Sequence, residues 1–173
     1  VPKGTPGVSF TPLEKVGNNA LPSYEVAFDD AEVPAGALMG EEGRGFAHLM
    51  STLHYARAGM AAAVTGAAQR AVDITLAHVR EREQFGRPIW DFQVLRHMLA
   101  ERQTEVDAAR LLCYRAAQMA AAGIPCSKEV SMAKLYGSET LKACALTGMQ
   151  VLGGHANLPE ADMERYLRES VQS

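Results

Sequence analysis

Cations, an aromatic ring and a glycine turn lie close together in residues 80–93. Arg80 and Arg82 precede Phe85, and Gly86 opens a break that also contains Arg87 and a proline. Guanidinium groups match phosphate oxygens, so the segment could bind a phosphate with a base stacked on the ring. The simpler alternative is that Arg80 and Arg82 only complement the negative end of a helix dipole. From the residues alone, both interpretations stay open.

The sequence gives little support for other common catalytic or metal-binding sites. A di-iron helical bundle needs Glu-x-x-His pairs, and none of the five histidines forms one. The glycines of residues 40–45 lack dinucleotide or P-loop spacing, so a flexible joint is the better interpretation. Ser51 and His54 would lie on one helix without the third member of a triad. We expect no metal site.

The composition is that of an ordinary globular protein of 173 residues, with 47% hydrophobic and 21% charged residues. A net charge of -3 with scattered cations gives no reason to expect nucleic acid or a membrane surface as partner. No apolar run approaches the roughly 18 residues that span a bilayer. The cysteines Cys113, Cys126 and Cys144 have no C-x-x-C spacing, which predicts buried, inert thiols in a reducing, cytoplasmic compartment.

The first 40 residues predict β and loop structure. They are rich in proline and glycine, and Tyr24, Val26 and Phe28 alternate as in a half-buried strand. The glycines of residues 40–45 then precede a long helical pattern. We therefore expect one domain over residues 1–40 and a second over residues 41–173.

Three capped apolar stripes predict three long helices, and a fourth begins near the end. The first runs from Phe46 to the break at residues 86–88 over about 36 residues. Asp91 is expected to cap the second, Ser127 the third, and Pro159 to open the fourth. The short connections predict a mainly α, up-and-down four-helix bundle behind a short β segment.

Two glycines, Gly59 and Gly66, lie within the first predicted helix. Each costs up to about 1 kcal/mol relative to alanine in a helix interior. Close approach of another backbone to that helix face would explain their presence.

Five sequence blocks together resemble the acyl-CoA dehydrogenase family. The segment R-x-x-F-G-x-P-I followed by F-Q, residues 82–93, is similar to the flavin-contact motif of that family, and residues 150–154 are similar to its second motif. Residues 1–8, 28–34 and 40–46 agree with further family blocks in order and spacing. The resemblance implies the end of a middle β domain, residues 1–40, and most of a C-terminal helical bundle, residues 41–173, truncated in its fourth helix.

The same resemblance implies an FAD site and its residues. Arg82 is expected to reach the FAD pyrophosphate, Gln84 and Phe85 to pack on the nucleotide, and Gln93 to hydrogen-bond it. Main chain of a second segment is expected to line the same ligand: Gln150, Val151, Leu152, Gly153 and Gly154. Arg57 matches an arginine beside the CoA channel, and helix packing is an equal alternative for it.

The implied reaction is α,β-dehydrogenation of an acyl-CoA thioester. A glutamate removes the pro-R α-proton while the β-hydride passes to flavin N5, which gives a trans-2-enoyl-CoA. The resemblance further implies a homo-oligomer, a dimer or a dimer of dimers such as a homotetramer, whose subunits share the FAD. It also implies an electron-transfer flavoprotein as acceptor and a place in fatty acid metabolism.

The catalytic glutamate is expected just beyond Ser173. At the family's other base position the chain has Tyr55 and Ala56, and an ordinary tyrosine has a pKa of about 10. Glu160, Glu164 and Glu169 are interpreted as solvent-facing helix charges. The chain alone is therefore predicted to be inactive.

Two further classes of function remain open. One is a flavoprotein of the same fold with another activity: an oxidase, a monooxygenase or a DNA-damage-response homologue. The other is a flavin-free helical module that only mediates oligomerisation. Residues 17–22 and 155–157 depart from the family pattern, which leaves the substrate preference open.

Overall fold

The computed structural model describes residues 1–172 and is mainly helical. Its contacts divide the chain into two compact units, Val1–Leu53 and His54–Ser173. The division falls within the first long helix. The predicted domain boundary at residues 40 and 41 stays a prediction.

The first unit contains a β-hairpin. Strand β1 (Val8–Leu13) pairs antiparallel with β2 (Ser23–Phe28), and Phe10 lies opposite Val26. The predicted strand is present, but its half-buried face is not. Tyr24, Val26 and Phe28 are 47%, 43% and 63% exposed. A partner strand satisfies backbone hydrogen bonds and covers no face, so a two-stranded sheet leaves these side chains uncovered.

Four helices follow the hairpin. They are α1 (Gly45–Glu81), α2 (Gln93–Ala121), α3 (Ser127–Leu152) and α4 (Met163–Ser170). A small hairpin of β3 (Glu83–Gln84) and β4 (Arg87–Pro88) joins α1 to α2. The predicted up-and-down four-helix bundle behind a short β segment is confirmed.

Helix α3 lies at the centre of the second unit and packs against both α2 and α4. The core is built from buried side chains of all four helices: Val64, Val72 and Val79 of α1, Leu99 and Val106 of α2, Leu141 and Cys144 of α3, and Met163 of α4. The three long helices therefore each contribute an apolar stripe, as the periodicity predicted, and α4 adds Met163.

The close helix contacts occur at glycines other than those expected. A Cβ at Gly148 would lie 2.5 Å from Met163 Cε and 3.0 Å from Thr75 Oγ1. At Gly59 and Gly66 an added Cβ would meet no described atom of the chain within 4 Å. The expectation for these two was wrong because both lie on the exposed side of α1.

The predicted helix caps also need correction. Asp91 ends a short 3-10 turn, and Phe92 precedes α2 without a side-chain cap. Ser127 is already helical, so its hydroxyl is one residue too late to cap α3, which Cys126 precedes. Pro159 opens a 3-10 turn, Pro159–Ala161, and α4 begins only at Met163.

The cysteines are free thiols that differ in exposure. Cys144 is buried, which raises the pKa of its thiol to about 12. Cys113 and Cys126 are half-buried, so full burial was predicted correctly for Cys144 alone. In the described part of the chain, no helix is long and apolar enough to cross a membrane.

Candidate functional site

The hairpin between α1 and α2 is built on a tight two-residue turn. Gln84 pairs with Arg87, and the residues between them, Phe85 and Gly86, have φ angles of 56° and 76°. Two positive φ angles are typical of a type I′ turn, whose twist suits an antiparallel hairpin. The backbone N–H of Ile89 donates to the carbonyl of Arg82 over 2.8 Å. Arg82 is therefore anchored at the base of the hairpin.

Phe85 occupies the tip of this turn and is 92% exposed. A left-handed conformation costs a residue with a Cβ roughly 1–2 kcal/mol. The ring has an edge contact with Phe92 at 6.1 Å, and the Arg87 guanidinium lies 4.4 Å from the Phe92 ring centroid. The turn thus presents an aromatic ring to the outside at a cost in backbone strain, a combination found at binding sites.

A groove of about 530 Å³ brings the two predicted motifs together. Arg82 and Gln84 of the first motif line it with Val151, Leu152 and Gly154 of the second. Small-molecule sites commonly have volumes of roughly 300–1,000 Å³. Side chains more than 60 residues apart in the sequence therefore share one ligand-sized depression.

The remaining predicted residues lie outside the lining of the groove. Gln93 and Gln150 are exposed on α2 and α3, and Phe85 projects from the hairpin tip. Gly153 ends α3 with a φ of 59°. Arg57 is half-buried on α1, about 30 Å along the helix from the groove.

Two histidines that sequence reasoning missed, His78 and His155, also line the groove. Their rings are stacked with centroids 6.1 Å apart and an angle of 18° between planes. Burial lowers the pKa of His78, as do His155 and Arg82, while Glu81 opposes the shift. The sequence did contain a signal for both histidines, because each lies beside a predicted motif: His78 is one turn before Arg82, and His155 directly follows the double glycine.

A second depression of about 310 Å³ adjoins the groove and shares His78, Leu152 and His155 with it. It carries several charged side chains: Arg70, Asp73, Glu81, Glu160 and Asp162. The pKa of the Asp162 carboxyl is lowered by its hydrogen bond from Arg165, 3.1 Å long. The histidine pair therefore separates a cationic groove from a depression that contains carboxylates.

The donors of the groove suit an anionic ligand. Arg82, Gln84 and the two histidines supply donor groups, and among the described residues no carboxylate lines this groove. A Cβ at Gly154 would meet no described atom within 4 Å, so main chain forms an open wall there. Phosphate groups of a dinucleotide such as FAD fit such a set of donors.

The fold and the groove together define a mainly helical domain with a ligand-sized groove whose donors would suit phosphate. The family description "Acyl-CoA dehydrogenase, C-terminal domain" matches residues 43–171. This chain belongs to the acyl-CoA dehydrogenase family.

Curated relatives and solved structures agree with this assignment. Cyclohex-1-ene-1-carbonyl-CoA dehydrogenase of Syntrophus aciditrophicus is 40% identical over 172 residues, 98% of this chain and 42% of that protein. The structure of butyryl-CoA dehydrogenase from Megasphaera elsdenii matches with a TM-score of 0.94 and 32% identity, over 99% of this chain and 45% of that one.

A further similar structure is described as the electron transferring flavoprotein of Acidaminococcus fermentans. Its TM-score is 0.94 at 37% identity, over 99% of this chain and 45% of that one. The chain thus spans less than half the length of the relatives it matches.

Proposed function

We propose that this chain supplies the flavin-binding part of an FAD-dependent acyl-CoA dehydrogenase, an enzyme that oxidises an acyl-CoA thioester to a trans-2-enoyl-CoA. The observation that carries the proposal is the groove in which Arg82 and Gln84 meet Val151, Leu152 and Gly154. Family membership supports the reaction class. FAD, when bound, would accept the hydride that leaves the β-carbon.

The groove residues would bind and orient the dinucleotide. Arg82 would hold the pyrophosphate through charge-assisted hydrogen bonds. The wall at Gly154 would let main chain approach the ligand, since no side chain intervenes. Outside the groove lining, Gln93 would donate an amide hydrogen bond, main chain at Gln150 would line the same ligand, and the exposed ring of Phe85 would pack against the nucleotide.

We further propose that the site is shared between subunits of a homo-oligomer, a dimer or a dimer of dimers. Phe85 projects from the chain rather than into it, with 92% of its surface exposed, which suits contact with an FAD held by a neighbouring subunit. Large apolar side chains on α2 and α3 are also uncovered, among them Leu111 at 68% and Leu135 at 65%. Such side chains are typical of a protein interface.

The base and the acyl-CoA contacts belong to the same proposal. Glu164 is engaged by Arg168 in two hydrogen bonds of 2.6 and 3.1 Å, which favours its interpretation as a helix charge. We propose that a glutamate beyond residue 173 takes the α-proton and that Arg57 contacts CoA. Transfer to an electron-transfer flavoprotein, fatty acid metabolism, a cytoplasmic location and inactivity of the chain alone remain predictions.

A flavin-free oligomerisation module is a poorer explanation of the groove. A surface that only joins subunits gains nothing from a depression lined by Arg82, Gln84 and two histidines without a carboxylate. A concave set of arginine, amide and imidazole donors matches the oxygens of an anionic ligand. The groove therefore favours a ligand-binding role.

Substitution of Arg82 in the complete enzyme tests the proposal. We expect Arg82→Ala to weaken FAD binding by about 1.5–3 kcal/mol, the usual contribution of a hydrogen bond to a charged group. Flavin retained after dialysis, measured by visible absorbance, reports the effect. Arg115→Ala is the matched control, because Arg115 is exposed on α2 and pairs only loosely with Glu129 at 3.6 Å. Equal flavin retention in the two variants would contradict the assignment.

A further inference from the structure

We propose that His78 and His155 are additional ligands of the groove, which bind the diphosphate of the dinucleotide beside Arg82, and that His78 takes up a proton when it binds. The inference rests on the proposed function, because it concerns the same groove. It assigns a role to two side chains outside both sequence motifs. It also makes binding of the cofactor dependent on pH.

The position of the pair supports a ligand contact. His78 comes from α1, whereas His155 comes from the 3-10 turn Gly153–Asn157 that follows α3. Both rings line the groove with Arg82 and Gln84, and they are stacked at 6.1 Å. The pair therefore lies where the two motif-bearing segments meet, beside the guanidinium expected to hold phosphate.

The ring nitrogens are available for such a contact. In the part of the chain that the structure describes, neither His78 nor His155 makes a side-chain hydrogen bond. His155 is exposed. Their N–H groups are not held by another group of the described fold, so they can donate to a ligand that enters the groove.

Charged groups from two parts of the fold face the pair. They are Arg70, Asp73, Glu81 and Arg82 from the α1 side and Glu160 and Asp162 from the segment before α4. The Asp162 carboxylate is occupied by Arg165. On the groove side, the positive charge of Arg82 disfavours a protonated His78. The carboxylates lie on the side of the second depression.

A bound diphosphate would reverse this balance. Without a ligand, burial, His155 and Arg82 hold the pKa of His78 below its usual value. The negative charge of a diphosphate raises that pKa, because it favours the protonated ring. Binding and protonation are then coupled, and each strengthens the other by the same factor. Affinity is highest at acidic pH and falls as the pH rises through the pKa of the bound state.

Calorimetry of the complete apoenzyme with FAD tests this coupling. Titrations in two buffers of different ionisation enthalpy, at neutral pH, measure the protons taken up on binding. We expect uptake in the wild type and its loss in His78→Gln. We also expect His78→Gln to lose about tenfold in affinity near pH 6, one charged hydrogen bond, and less near pH 8, since imidazole titrates at about 6.5. His155→Gln should also lose affinity, because it removes a donor to the same diphosphate.

His97→Gln is the matched control, because His97 is exposed on α2 and lies outside the groove lining. It should bind FAD with the proton uptake of the wild type. Proton uptake and affinity in both groove variants equal to those of His97→Gln would overturn the inference. If His78→Gln folds poorly, His155→Gln still tests the inference, because substitution of an exposed residue should leave the fold intact. Failure of this inference can be told apart from failure of the proposed function, because the latter would appear as unchanged FAD binding in Arg82→Ala.

Discussion

Phe85 combines a strained backbone with an almost fully exposed ring. Asparagine tolerates the left-handed conformation far better than a bulky residue does. The packing that the ring contributes is limited to an edge contact with Phe92, worth about 0.5–1.5 kcal/mol. Fold stability therefore gives little reason for a phenylalanine at this position, whereas contact with a nucleotide gives a direct one.

We predict that Phe85→Asn changes the free energy of unfolding by less than about 1 kcal/mol, because relief of backbone strain offsets the lost ring contact. Flavin retention should fall in the same variant, since the ring that packs on the nucleotide is gone. Thermal unfolding and flavin absorbance of the complete enzyme measure the two effects. Retained flavin at unchanged stability would argue against a role for Phe85 in binding.

Some residues that line the groove were predictable from the sequence and others were not. Arg82 and Gln84 lie in a recognisable motif, and the groove brings them to Val151, Leu152 and Gly154. His78 lies one turn before Arg82, but a histidine inside a helical stripe is more simply interpreted as a packing residue. Its proximity to His155 depends on the tertiary fold. The positive φ of Phe85 was also hidden, because phenylalanine rarely adopts it.

At the scale of elements, the packing of α3 depends on small residues. Gly137 faces Val64 and Thr65 of α1, and Gly148 faces Thr75 of α1 and Met163 of α4. Both glycines are buried. Because a glycine lacks a Cβ, side chains of the neighbouring helices can reach the α3 backbone at these points.

We predict opposite effects for alanine at two helical glycines. Gly148→Ala should lower the free energy of unfolding by about 1–3 kcal/mol, because the added methyl overlaps Met163 and Thr75 in a close-packed core. Gly66→Ala should raise it by about 0.5–1 kcal/mol, since that site is open and alanine is the better helix former. Chemical denaturation measures both. A stabilised Gly148→Ala protein would show that the contact is not close.

Periodicity predicted the helices well and their caps poorly. The apolar steps of three and four residues span each helix, so their number and approximate lengths follow from the sequence. Asp91 and Ser127 matched the preferences for capping residues, yet 3-10 turns and backbone bonds shift each helix start by one or two residues. Composition also could not show which glycines meet a neighbouring helix, because that depends on the face each one occupies.

At the scale of the whole molecule, the proposed reaction needs more than the groove. The chain spans less than half the length of its relatives, so its activity is proposed for the complete enzyme. The resemblance of five sequence blocks predicted the family, and the match over residues 43–171 confirms it. Acyl chain length and branching were not predictable, since no motif in this chain reports the shape of the acyl pocket.

Anaerobic titration of the purified complete enzyme with saturated acyl-CoA thioesters is the decisive test of the proposed dehydrogenation. We expect the enzyme to carry FAD, and we expect at least one thioester, from a series of increasing length and branching, to bleach the visible flavin band as enoyl-CoA forms. Oxygen is absent, so reduction of the flavin by substrate is separated from oxidase turnover. A flavin-loaded enzyme whose spectrum no acyl-CoA changes, or an enzyme without flavin, would contradict the account.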